Sequence, residues 1–221
     1  MPAFRKPRPQ VVIFDVNETL TDMEPLRARL DAAGADPALL ELWFASTLRD
    51  GIALTAAGGF ATFADVATAA LARLAPEADA ASAADGLSDA QPQPDVAVGL
   101  PPLAGAGFRI ATLSNGSPNT AARALERAGV SELVEQNLSV EAVGRWKPAR
   151  EPYAYACTEC GVAPAQAMLV SVHPWDVDGA SRAGLRTCLV DRDDAGYPAL
   201  LRQPDIVVAS LAELQANLDA T

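Results

Sequence analysis

The chain has 221 residues, half of them hydrophobic and a fifth charged, enough to bury a full core as one large domain or as a domain with an insertion. Its 28 acidic residues against 17 Lys and Arg leave a formal net charge of −11, which repels nucleic-acid phosphates and anionic lipid surfaces, and no basic cluster offsets it. No stretch reaches the ~18 apolar residues of a membrane span, and Arg5, Lys6 and Arg8 precede no signal-peptide-like apolar run, so a cytoplasmic protein is expected.

Residues 1–10, with prolines and scattered charge, read as a loose lead-in. Val11–Phe14 is an uninterrupted apolar run that ends in Asp15 and the polar cluster Asn17, Glu18 and Thr19, the pattern of a buried parallel strand. From Met23 to about Leu74 the spacing is helical. Gly34-Ala35-Asp36-Pro37 ends one helix and starts the next, with Asp36 as N-cap, and Ala57-Gly58-Gly59-Phe60 makes a second break. Thr62–Leu74 is a further helix, residues 76–89 are a polar helix or loop, and Gln91-Pro92-Gln93-Pro94 is a linker.

Strands and helices then alternate. Val96–Ala106 is a helix or turn interrupted by Pro101 and Pro102. Strands are expected at Arg109–Leu113, Asn137–Val140, Met168–Val172, Thr187–Val190 and Ile206–Val208, with helices at Thr120–Ala128, Pro152–Cys160 and Val177–Ala183. This order implies an α/β fold with a parallel sheet. The expected division is an α/β core of residues 1–20 and 94–221 with a helical cap, residues 21–93, inserted after the first strand. Cys157 and Cys160 have the C-x-x-C spacing, but a second metal-ligand pair is missing and His173 is the one histidine, so buried thiols are expected.

Asp15 alone could simply cap the turn that follows it. Polar residues, however, recur at successive strand ends: Ser114 and Asn115, then Lys147, then Ser171, His173 and Asp176. A parallel sheet brings such ends to one edge, where α/β proteins bind their ligands.

The runs Phe14-Asp15-x-x-x-Thr19-Leu20, Leu113-Ser114-Asn115-Gly116, Lys147-Pro148 and Trp175-Asp176-x-x-Gly179-Ala180 resemble the four motifs of the haloacid dehalogenase (HAD) superfamily, in order and across nearly the whole chain. The resemblance implies a HAD-like Rossmannoid core with an inserted cap, and a nucleophilic Asp15 that forms a covalent intermediate. Most members are Mg-dependent phosphotransferases; the L-2-haloacid dehalogenases attack carbon and use no metal. A phosphatase needs an acid/base Asp two residues past the nucleophile and a further Mg-binding Asp. Asn17 and Val172 occupy those positions, so no metal or other cofactor is expected.

Lys147 followed six residues later by Tyr153 is similar to the signature of the dehalogenase branch, with Lys147 holding and activating Asp15. By the same resemblance Thr19 steadies the nucleophile, Ser114 and Asn115 donate to substrate carboxylate or halide, and Ser171 and Asp176 sit near Lys147. In the cap, Leu42-Trp43 aligns with the branch's Trp, and Phe44 stands where the branch has an anion-gripping Arg; Arg49 is one replacement for it, or a solvated surface Arg. The implied substrate-binding set is thus Thr19, Trp43, Phe44, Ser114, Asn115, Tyr153, Ser171 and Asp176.

His173 replaces the branch's Asn, and Glu18 the superfamily's Gly. Histidine is the side-chain type that titrates near neutrality, so His173 is a candidate general base, oriented by Glu18. The expected reaction converts short (S)-2-haloalkanoic acids to (R)-2-hydroxyalkanoic acids through an ester on Asp15, with Trp43, Phe44 and Phe60 drying the pocket and Trp175 either lining it or packing in the core. A relative that only binds a small carboxylate or partner, and a phosphatase with an unusual metal site, stand as alternatives. A small-molecule haloacid is the expected partner, with no nucleic acid and no membrane, and the resemblance implies a homodimer.

Overall fold

The computed structural model describes residues 8–220; residues 1–7 of the expected lead-in lie outside them. Its strands are β1 (Val11–Phe14), β2 (Thr21–Asp22), β3 (Gln91–Pro92), β4 (Arg109–Ser114), β5 (Gln136–Ser139), β6 (Ala167–Ser171), β7 (Arg186–Val190) and β8 (Ile206–Val208). Its helices are α1 (Leu26–Ala32), α2 (Leu40–Ala56), α3 (Phe63–Leu74), α4 (Ala80–Asp85), α5 (Val96–Gly105), α6 (Pro118–Arg127), α7 (Arg150–Glu159), α8 (Pro174–Ala183) and α9 (Leu214–Ala220).

The central sheet has the order β5-β4-β1-β6-β7-β8, and every pairing in it is parallel. The apolar run of β1 follows from burial on both faces: Val12 and Phe14 join a cluster with Leu100, Leu103 and Leu214, while Val11 and Ile13 join one with Tyr153, Ala156 and Ala180. Helices α5 and α9 thus cover one face, and α7 and α8 the other. After β1 the sheet grows through β4 to β5, and after β6 through β7 to β8. The crevice between the C-terminal ends of β1 and β6 is therefore the topological switch point.

Between β1 and β4 lies the helical segment α1–α4, with its own apolar cluster around Leu30, Trp43, Phe63 and Leu71. Val140 and Trp146, from the other side of the crevice, complete that cluster. At its neck, β2 and β3 pair antiparallel, so the residues expected to be a linker form a short strand instead. Pro92 is tolerated because the pair is only two residues long and sits apart from the main sheet.

Two local expectations changed. Helix α5 runs through Pro101 and Pro102 without interruption. The helical bonds they forgo would have ended on the carbonyls of Ala97 and Val98, which lie on the exposed face where water can serve them. Asp36 caps as expected, accepting from the Ala38 amide at 2.9 Å, but the turn it opens is a short 3-10 segment that leads into α2.

Cys157, Cys160 and Cys188 are all buried and free. Burial pushes the Cys157 thiol up to about 11 and that of Cys188 up to about 12, so both stay protonated at neutral pH. Among the described residues no helix is long and apolar enough to cross a membrane.

Candidate active site

Asp15 is the first residue past β1, and the chain turns sharply behind it. The amides of Leu20 and Thr21 both donate to the Val16 carbonyl, at 2.8 and 3.1 Å. Closing this turn puts Glu18 at φ 61°, the left-handed region that favours glycine. Thr19 is thereby folded back onto Asp15: its hydroxyl donates to Asp15 Oδ2 at 2.7 Å and accepts from the Val172 amide at 3.1 Å.

The other carboxylate oxygen, Oδ1, accepts from Lys147 Nζ at 2.7 Å, and the same ammonium donates to Asp176 Oδ2 at 2.7 Å. Lys147 and Asp176 are fully buried. Tyr153 completes the chain by donating to Asp176 Oδ1 at 2.6 Å. Burial by itself pushes the Asp15 carboxyl up, but the charges of Lys147 and His173 and the bonds from Lys147 and Thr19 outweigh it and hold it below the usual carboxylate range. Burial works against the Lys147 ammonium too, and Asp15 and Asp176 together outweigh it, so Lys147 stays charged. Asp176, more deeply buried and beside Asp15, is shifted upward by burial despite Lys147.

Helix α8 can approach Lys147 this closely because residue 179 is Gly. A Cβ there would lie 2.5 Å from Pro148 Cβ and 2.7 Å from Tyr153 Oη. The Gly of the fourth motif is thus a packing requirement.

His173 lies just past β6, across the switch point. Its Nε2 is 3.7 Å from Asp15 Oδ2, 3.6 Å from Glu18 Oε2 and 3.2 Å from the Asn17 carbonyl. The expectation was that Glu18 would orient the ring; in the structure Glu18 reaches the same nitrogen that faces Asp15, a placement suited to stabilising a proton on Nε2. The rings of Trp175 and Phe44 stack with the imidazole at centroid distances of 5.1 and 6.2 Å. Burial, with Asp15 and Glu41 nearby, raises the Glu18 carboxyl, and His173 opposes that rise.

Other expected contacts are placed differently. Asn115 is committed to the main chain of Lys147, accepting from its amide at 2.8 Å, so it positions the lysine. The Ser114 hydroxyl accepts from the Gly116 amide at 2.9 Å. Ser171 Oγ reaches Asp15 Oδ2 at 3.5 Å and accepts from the His173 amide at 3.0 Å. Trp43 is buried in the helical segment, its indole N–H on the Ala67 carbonyl at 2.7 Å, and lines neither cavity beside the site. The α2–α3 packing claims its ring, as it does for any large apolar residue on that face. Phe60 is partly exposed. Arg49, the expected alternative to an arginine at position 44, does not reach the site: it pairs with Asp50 at 2.7 Å on the exposed side of α2.

A different arginine serves the site. Arg192, in the loop after β7, donates to the carbonyls of Glu18 (3.2 Å) and Thr19 (2.9 Å) and pairs twice with Asp95, at 2.9 and 3.1 Å. No motif marked it, because its partners in the turn after Asp15 are carbonyls that any sequence would supply.

A cleft of about 470 Å³ ends on Glu18, Phe44, Val172 and His173. A smaller cavity of about 280 Å³ reaches Asn17, Phe63, Gly116 and Ser117 on the other side of the turn after Asp15. The oxygen donor set does not suit a divalent cation: the ammonium of Lys147 occupies the space between Asp15 and Asp176, and Asn17 and Val172 offer no carboxylate.

The haloacid dehalogenase-like hydrolase family model matches residues 9–184, and the chain belongs to that family of hydrolases. It is 29% identical over 189 residues to (S)-2-haloacid dehalogenase 1 of Pseudomonas sp. strain CBS-3, covering 81% of this chain and 83% of that protein. A phosphoglycolate phosphatase of Cupriavidus necator is 35% identical, over 57% of this chain and 54% of its own length. The L-2-haloacid dehalogenase of Xanthobacter autotrophicus, solved with chloropropionic acid covalently bound, superposes with a TM-score of 0.88 at 25% identity over 96% of this chain and 99% of that one.

Proposed function

We propose that the protein is a metal-independent hydrolase of carbon–halide bonds that converts short (S)-2-haloalkanoic acids to (R)-2-hydroxyalkanoic acids. The carrying observation is a buried carboxylate, Asp15, held at 2.7 Å by Lys147 and faced at 3.7 Å by His173 Nε2. The named relatives of Pseudomonas and Xanthobacter support the substrate class.

In the first step Asp15 attacks C2 in line with the halogen. A C–O bond forms, the C–halogen bond breaks with its electron pair on halide, and C2 inverts. His173 Nε2 then takes a proton from water, whose oxygen attacks the ester carbonyl of Asp15. The imidazolium is stabilised by Glu18 and by the Asn17 carbonyl, and its proton goes to the departing alkoxide. The helical segment acts as a cap, with Phe44 excluding water beside His173.

The phosphatase alternative has a relative in Cupriavidus. It requires an acid at position 17 and a metal carboxylate at position 172, where this chain has Asn and Val. Halide release from (S)-2-chloropropionate, unaffected by EDTA, is the expected result. EDTA-sensitive phosphate release with no halide would overturn the reading. Asp15→Asn should be inert, and His173→Ala should accumulate the ester, detectable as added mass on the intact protein.

A further inference from the structure

The cleft that ends on His173 is strongly acidic. Glu18, Asp22, Glu24, Glu41, Asp191 and Asp193 line it, and among the described residues the one Lys or Arg in its lining is Arg192. Arg192 is already committed to Asp95 and to two carbonyls. Arg27 is shared between Glu24 and Glu41 of that lining. Deeper in, Lys147 is bound to both Asp15 and Asp176. Even with His173 protonated, the carboxylates of Asp15, Glu18 and Asp176 outnumber the positive charges of Lys147 and His173.

An anionic substrate therefore meets like charge in the cleft lining and again at Asp15, 3.7 Å beyond His173, with no uncommitted guanidinium or ammonium among the described lining residues to hold it. Where the cleft meets His173, the ring of Phe44 offers an apolar surface. A 2-haloamide carries the same halogen next to a carbonyl, keeps C2 activated for displacement, and has no charge to be repelled.

We propose that the site also takes uncharged 2-haloalkanoamides, and takes them at least as efficiently as the corresponding acids. This rests on the displacement chemistry proposed above. Asp15 forms the C2–O bond as halide leaves with the bonding electrons. Water then cleaves the ester, releasing the 2-hydroxyamide, and the net products are hydroxyamide, halide and a proton. The amide C–N bond is not touched.

The experiment compares halide release from (S)-2-chloropropionamide and (S)-2-chloropropionate by the wild-type enzyme, with Asp15→Asn as blank, in a halide-free buffer of rising ionic strength. The expected result is a kcat/KM for the amide equal to or above that of the acid. Shortening the Debye length from ~30 to ~3 Å should also lower KM for the acid and leave that for the amide unchanged. Turnover of the acid with a kcat/KM for the amide below that of the acid would overturn this proposal and leave the haloacid reading standing. No halide from either compound would overturn both.

Discussion

Arg192 Nη2 donates to the Thr19 carbonyl at 2.9 Å, so a loop beyond the fifth strand of the main sheet fixes the turn that follows Asp15. Asp95 holds the other side of the guanidinium and also accepts from the Leu211 amide at 3.0 Å. Arg192→Met should lower kcat about tenfold with little change in KM, because Asp15 and Glu18 lose their alignment and not their identity. Stability should fall by about 2 kcal/mol, a figure reduced for the partial exposure of the ion pair. Arg192→Lys should recover part of kcat, since one ammonium can replace some of the contacts; equal loss in both variants would argue against a positioning role.

Lys147 is raised above 10.5 in the folded state, so its stabilisation is complete below pH ~10.5 and is lost as pH climbs through the folded value. Asp15 is lowered below 3.8, so its share is in place above that pH and lost on acidification through its folded value. Asp176 is shifted the opposite way, which blunts the acid limb and leaves the alkaline limb the clearer test. Urea midpoints measured from pH 8 upward should stay level as far as the lysine reference value of ~10.4 and fall only above it. Lys147→Met should remove that limb, abolish turnover and cost about 3–5 kcal/mol at pH 7, because two buried carboxylates lose their counter-ion.

Tyr153→Phe deletes the 2.6 Å bond to Asp176 Oδ1 while leaving the ring in its apolar surroundings. A loss of about 1–3 kcal/mol is expected in chemical denaturation, because the partner is charged and buried. A several-fold drop in kcat should accompany it, as Asp176 no longer fixes Lys147.

The helical segment is keyed to the site through Trp146, the neighbour of Lys147. Its amide donates to Thr55 Oγ1 at 3.0 Å, its indole N–H to the Ala61 carbonyl at 2.9 Å, and its ring packs against Gly51. A Cβ at Gly51 would fall 2.4 Å from Trp146 Cζ3. Gly51→Ala should therefore cost about 1–3 kcal/mol, read as a lowered Tm. It should also reduce halide release, although residue 51 touches none of the reacting groups.

Much of this protein was legible in the chain itself. Apolar runs such as Val11–Phe14 and Met168–Val172 read as buried strands in an alternating α/β order, and their polar ends then share one edge of a parallel sheet. That alone brings Asp15, Lys147, His173 and Asp176 within reach of one another, and Asn17 and Val172 are as informative by the carboxylates they lack. What the tertiary structure decided depends on groups with no side-chain signature or with two equally good local uses. Asn115 and Ser114 serve the main chain around the site, and Trp43 faces the helical core, because helical spacing does not say which neighbour a buried face will meet. Arg49 and Arg192 are alike in sequence, but one is spent on Asp50 at the surface and the other reaches carbonyls in the nucleophile turn. The single imidazole nitrogen shared by Asp15, Glu18 and Asn17 likewise exists only because the turn closes with Glu18 in a left-handed conformation.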